Sequence, residues 1–190
     1  MFALNLFTKS NCARSEMISF MLHEKGQEFR SIAVDTTGGA ALSKNMFNAI
    51  QAPALVDHEV RLIDLDLILE YIEERYPHPT MMPTGPDKRV HIRILLRRVF
   101  NDLYPLLDRF QNDGSHEAAN ELCTELNNIA PLFSAQPYLV HDYFNLLDAA
   151  FVPLLRHIRP HVRLSPQITQ YLDRMTSRDA FKKSIVAETV

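Results

Sequence analysis

Between residues 77 and 86 the chain carries four prolines, Pro77, Pro79, Pro83 and Pro86, together with Gly85. Proline lacks the amide hydrogen that helix and sheet ladders use, so neither element runs through this segment. The chain is therefore expected to fold in two parts: a first domain over 1–80, a linker over 81–86 and a second domain over 87–190.

The two parts differ in pattern. Residues 2–7 form an apolar run closed by Thr8, Lys9, Ser10 and Asn11, which predicts a buried strand and a loop. Met17, Ile18, Phe20, Met21 and Leu22 recur near helical spacing between Cys12 and Lys25, with Gly26 placed for a left-handed cap. Residues 29–34 read as a second strand, 36–40 as a loop and 41–47 as a short helix. Ala54, Leu55 and Val56 then lead through a turn at Asp57, His58 and Glu59 into a returning strand over 60–63. Asp64 opens a helix with Leu65, Ile68, Leu69 and Ile72 inward and Glu70, Glu73 and Glu74 outward, stopped by Tyr76 and Pro77. The order is βαβαββα. Beyond the linker only helical periodicity appears, over 87–110, 117–128, 146–158, 166–177 and 179–187. The fold class is α/β plus all-α.

Composition narrows the function. With 190 residues, 46% of them hydrophobic and 23% charged, the chain can bury one or two cores, and disorder is excluded. The longest stretch without a charge, 126–141, is shorter than the ~20 apolar residues of a membrane span and contains Pro131 and Pro137. No basic and apolar leader precedes Phe2, and two cysteines, Cys12 and Cys123, are too few for a disulfide scaffold. A soluble, cytoplasmic protein is expected. Its net charge of −3 and pI near 6.2 argue against direct binding of nucleic acid. Residues 1–80 hold 7 Lys/Arg against 11 Asp/Glu, and residues 81–190 hold 13 against 12, so the first part is acidic and the second nearly neutral.

Several groups bear on chemistry. Cys12 begins the first helix in a Cys-x-x-Ser pattern with Ala13, Arg14 and Ser15, where a helix dipole favours a thiolate. Cys123, among Ala119, Leu122 and Leu126, is expected to be a buried apolar residue. Lys88, Arg89, Arg93, Arg97 and Arg98 form a cationic stretch, with 89, 93 and 97 on one stripe opposite Ile92, Leu95, Leu96 and Val99. Of the eight histidines only His157 and His161 stand four apart, and Pro160 breaks the helix between them, so no metal site is expected. Asn145 and Asp148 have the spacing of a helix capping box.

A βαβαββα half, a proline ahead of its third strand, a proline-rich linker and a helical half resemble the glutathione transferase superfamily, whose first domain is thioredoxin-like. In that resemblance Ala52 and Pro53 match the cis-proline site beside the glutathione cysteinyl group, Asp64 and Leu65 fall where a carboxylate and a serine hold the γ-glutamyl group, and Asn145–Asp148 matches the conserved capping box. Leu65 supplies no hydroxyl, so the glutathione site is read as vestigial; a lost donor to a charged group costs roughly 1.5–3 kcal/mol. Within the superfamily, residues 71–83 (Tyr-Ile-Glu-Glu-Arg-Tyr-Pro-His-Pro-Thr-Met-Met-Pro) resemble the signature of the stringent starvation protein A family, bacterial RNA polymerase-associated factors of the stress response. His-Glu-Lys-Gly at 23–26, Leu-Val-Asp at 55–57 and Arg-Asp-Ala-Phe at 178–181 extend the likeness. It implies a non-enzymatic regulator of transcription, homodimeric, without cofactor, that binds polymerase holoenzyme at its sigma-factor region. Tyr76, Pro77, His78 and Pro79 are the expected contact, two prolines fixing φ on either side of His78. The alternative is a glutathione-dependent transferase or thiol-transfer enzyme using Cys12 or the hydroxyls of Thr8 and Ser10.

Overall fold

A computed structural model describes residues 4–186; Phe2 and Ala3 of the expected first strand and Ala187 of the expected last helix lie outside the described residues. Two compact units result, one of residues up to 79 together with those from 179 onward, the other of residues 80–178.

The first unit runs β1 (Leu4–Thr8), α1 (Ala13–Glu24), β2 (Arg30–Ala33), α2 (Thr37–Phe47), β3 (Ala54–Asp57), β4 (Val60–Leu62) and α3 (Leu65–Arg75). Its sheet order is β2-β1-β3-β4, with β1 parallel to β2 and antiparallel to β3, and β3 antiparallel to β4. This is the expected thioredoxin-like order. Phe7, Ile32, Val34, Ala54 and Val56 form a core against which Leu42, Met46 and Phe47 of α2 pack, the rings of Phe7 and Phe47 meeting edge to face.

The second helix starts four residues earlier than its apolar pattern suggests. Thr36 accepts the Gly39 amide at 3.1 Å and caps the turn, while Gly39 sits so close to β2 that a Cβ there would meet the Ala33 carbonyl oxygen at 1.8 Å. The glycines that read as a loop are thus the ones that let the helix begin against the strand.

Among the described residues the second unit is helical: α4 (Pro86–Arg98), α5 (Tyr104–Asp113), α6 (His116–Asn128), α7 (Leu146–Ile158) and α8 (Pro166–Thr176). The single helical stretch expected over 87–110 is divided by a wider, π-type turn at Val99–Leu103, where the Tyr104 amide reaches back to the Val99 carbonyl. Pro105 follows at once and has no amide to donate, so the ladder is interrupted there in any case. The last helix, α9 (Asp179–Val186), follows the helical unit in sequence but packs with the first one: Phe181 stands edge to face on Phe20 of α1, ring centroids 5.1 Å apart. The second domain, expected over 87–190, therefore gives its last helix to the sheet-bearing unit.

At the centre of the second unit Asn145 caps α7 with all its polar atoms engaged. Its side-chain oxygen accepts the Leu147 amide at 3.0 Å, its side-chain nitrogen donates to the Leu139 carbonyl at 2.7 Å, and its own amide donates to Asp148 at 2.9 Å. The other Asp148 oxygen accepts the Leu139 amide and the Tyr171 hydroxyl, at 2.9 and 2.7 Å. Burial pushes the Asp148 carboxyl up to about 6, against the pull of these donors and of Arg178. A carboxyl raised in the folded state stabilises most below its unfolded pKa, and that contribution is lost as pH rises through the folded value. The stability advantage of the wild type over Asp148→Asn is therefore expected to be about 2 kcal/mol larger at pH 4.5 than at pH 7 in urea unfolding. An advantage that does not change with pH would contradict it.

Candidate functional site

The predicted contact segment sits above two buried charges. Helix α1 ends in a turn in which the Gly26 amide donates to the His23 carbonyl and the Gln27 amide to that of Leu22, Gly26 taking φ +64. The turn fixes the backbone at Lys25, whose side chain is fully buried. Its ammonium donates to the Tyr76 carbonyl at 2.7 Å and the Pro79 carbonyl at 2.9 Å, and pairs with Glu73 at 2.8 Å. Three hydrogens meet three acceptors, which is the condition for holding a lysine out of water. The two carbonyls bracket Pro77 and His78.

Asp57 holds the same segment from the sheet. It ends β3 with its carboxylate buried, accepting the hydroxyls of Tyr71 and Tyr76 at 2.8 and 3.3 Å, with the Arg75 guanidinium 3.7 Å away. Burial and then the Asp57 charge raise both phenols, so they remain donors at neutral pH. Pro77, His78 and Pro79 stand exposed over these anchors, Tyr76 is half-buried, and the His78-Pro79 peptide bond is cis.

Two sequence readings change here. Glu73 was expected on the outer face of α3 with Glu70 and Glu74; it is buried against Lys25, because it lies four residues beyond Leu69 and so at the edge of the inward stripe. Asp57 was expected in the turn; it is the last residue of the strand, and only His58 and Glu59 turn. Lys25, Tyr71 and Asp57 carried no sequence signal beyond the family resemblance.

The expected glutathione groups also belong to the first unit. Ala52 and Pro53 are half-buried and joined by a cis peptide bond. Asp64 caps α3 with its own carboxylate, one oxygen accepting the amides of Asp66 and Leu67 at 3.0 and 3.4 Å; Leu65, the first helical residue, is half-buried. Cys12 is half-buried at the N-cap of α1, and its thiol makes no capping bond. Ser10 is exposed, and a hydrogen bond from its side chain is the main reason that the Asp35 carboxyl lies below its ordinary range, with the Ser10 amide also donating at 3.1 Å. Thr8 is buried against Ser31, hydroxyl to hydroxyl at 3.2 Å.

Elsewhere the groups separate. Cys123 is half-buried rather than part of the core, with its Sγ 3.3 Å from the Arg163 carbonyl oxygen; the outer edge of α6 turns it toward that loop. Arg98, at the end of the cationic stretch and off the stripe of 89, 93 and 97, pairs with Glu125 at 3.0 Å. His157 bonds Gln111, while the His161 ring packs on Phe110.

Replacing Lys25 by Met leaves Glu73 buried without its cation and two carbonyls without a donor. Chemical denaturation should show a loss of roughly 3–5 kcal/mol, and adding Glu73→Gln should restore at least about 1 kcal/mol by removing the buried charge. A loss under about 1 kcal/mol would mean that the clamp does not hold the segment.

Residues 3–74 match the family described as Glutathione S-transferase, N-terminal domain. A β-etherase from Sphingobium sp. strain SYK-6 superimposes with a TM-score of 0.81 at 19% identity, over 97% of this chain and 99% of that one, which shows the fold. A stringent starvation protein A homolog from Histophilus somni is 32% identical over 88% of this chain and 83% of its own length. The homolog from Haemophilus influenzae is 31% identical over 96% of this chain and 90% of its own. With the transferase fold beneath it and identity above 30% carried across nearly the whole length of these relatives, the chain belongs to the stringent starvation protein A family of the glutathione transferase superfamily.

Proposed function

We propose that this protein is a non-enzymatic regulator of transcription that binds RNA polymerase holoenzyme as a cytoplasmic homodimer, through Tyr76, Pro77, His78 and Pro79. The observation that carries the reading is the clamped, exposed segment itself. Lys25 and Asp57 fix it from below, so a partner does not have to order it at ~1–2 kcal/mol per residue. His78 offers a ring nitrogen donor, a ring nitrogen acceptor and a stacking face at its tip.

The transferase positions support the absence of conjugation. Leu65 brings no hydroxyl, Asp64 caps its own helix, and the Ser10 side chain is committed to Asp35. Dimerisation is supported by exposed apolar pairs on both units, Ile63 and Leu67 on the first and Val90 and Ile94 on the second, each more than half exposed. Superfamily dimers set the first domain of one subunit against the second of the other, and the acidic and cationic surfaces here suit that pairing.

The test is co-elution with polymerase holoenzyme. Wild-type protein should co-elute and show no glutathione conjugation above background. The triple variant Pro77→Ala, His78→Ala and Pro79→Ala should lose co-elution while keeping the dimer mass in light scattering and its thermal midpoint. A folded, dimeric triple variant that still binds holoenzyme with unchanged affinity would overturn the assignment.

A further inference from the structure

Helix α9 is held to the first unit along one strip of α1. Phe181 meets Phe20 edge to face, and the Ser19 hydroxyl donates to the Ser184 carbonyl at 3.5 Å, both α9 residues being buried. His23 lies four residues beyond Ser19 and three beyond Phe20, so helical spacing sets its imidazole on the same face, at the end of the strip. The ring rests on Phe29 with centroids 5.0 Å apart, and its Nε2 is buried without a hydrogen-bond partner. The turn that carries His23 also carries the anchor of the exposed segment: the Lys25 amide donates to the Met21 carbonyl and the Gly26 amide to that of His23.

These surroundings suit a neutral ring and oppose a charged one. A protonated Nε2 is a buried cation with nothing to accept its hydrogen. The charged group that faces the ring from α9 is Lys183, a second cation, while Lys182 on that helix turns to Asp179 at 3.8 Å. From the approach to β2 the ring meets the uncharged Phe29, flanked by Glu28 and Arg30, which are exposed; on α1 the acidic neighbours are Glu24, half-buried beside it, and Glu16, buried two turns earlier. Among the described residues no carboxylate holds its proton: burial first, and then Lys183, keep the imidazole below its ordinary range. A histidine lowered in this way contributes its full stability above its unfolded value of about 6.5, and the contribution is lost as pH falls through the folded one.

We propose that the α1–α9 junction is a pH-sensitive latch: a proton taken up at His23 sets a second cation beside Lys183, frees α9 from α1 and loosens the last turn of α1, on which Lys25 stands under Tyr76–Pro79. The exposed segment is then held less firmly in acid. The latch belongs to the first unit alone and acts whatever partner the segment meets, so it stands apart from the polymerase reading.

The test is amide hydrogen exchange by NMR on the full-length protein at about pH 7.5 and pH 5.5, corrected for the intrinsic exchange rate at each pH. Protection of the α9 amides, and of the Tyr76 amide that donates to the Ile72 carbonyl, should fall at least about threefold at the lower pH, while that of the α7 amides does not fall. His23→Phe keeps a ring against Phe29 and takes up no proton, so it should remove the loss. Lys183→Gln, altered at an exposed position, carries the test should His23→Phe not fold: it should move the titration of the His23 imidazole upward in pH and shrink the loss of α9 protection. Protection of α9 that is indifferent to pH in the wild type, that falls equally in His23→Phe or Lys183→Gln, or that falls with no loss at Tyr76 would each overturn the proposal.

Discussion

A lysine ammonium taken wholly out of water must find an acceptor for each hydrogen, and in this protein that requirement organises the exposed segment after α3. Lys25 meets it with Glu73 and the carbonyls of Tyr76 and Pro79. Each partner lies on the last turn of α3 or just after it, so a charge at the end of the first helix dictates where the chain goes once the third has stopped. Surface ion pairs contribute little, commonly under about 1 kcal/mol, whereas a buried charge stripped of one partner costs several. The segment thus inherits a rigidity that its prolines alone, which fix only φ, do not confer. Asp57 adds a second anchor by drawing the Tyr71 and Tyr76 hydroxyls onto the end of β3.

The second unit solves the same problem with neutral donors around one carboxylate. Asn145, Asp148, Leu139 and Tyr171 close a buried network in which nearly every polar atom has a named partner. Its task is internal, tying the loop before α7 to the helix itself and to α8. Both units place a charged or strongly polar group under a loop; in the first, Lys25 and Asp57 lie under a segment whose other side is open. In the transferase positions of the first unit, by contrast, polar groups satisfy one another locally: Asp64 caps its helix, Ser10 binds Asp35 and Thr8 binds Ser31.

The order of elements is legible because apolar spacing alternates cleanly between strand and helix before residue 77. The capping box was legible because Asn and Asp at that spacing have a direct backbone role. The start of α2 is hidden in the sequence because glycine argues for a loop unless a close strand lies against it, as β2 does at Gly39. The π-type turn was invisible because its residues keep ordinary helical periodicity. Lys25 and Glu73 were missed for one reason: each is a charged residue near a helix end, where solvent exposure is the ordinary reading, and their pairing joins positions 48 residues apart. The return of α9 to the first unit is likewise a long-range fact, decided by Phe181 meeting Phe20.

In the proposed function the clamped segment meets polymerase directly. A photo-crosslinking amino acid placed at His78, whose exposed side chain makes no hydrogen bond among the described residues, reads that contact without weakening the clamp. Irradiated with holoenzyme, it should yield a covalent adduct with a polymerase or sigma subunit, with no comparable adduct from the same group placed at exposed Glu117 on α6. Equal crosslinking from both positions, or none from His78 under conditions in which the proteins co-elute, would contradict the account.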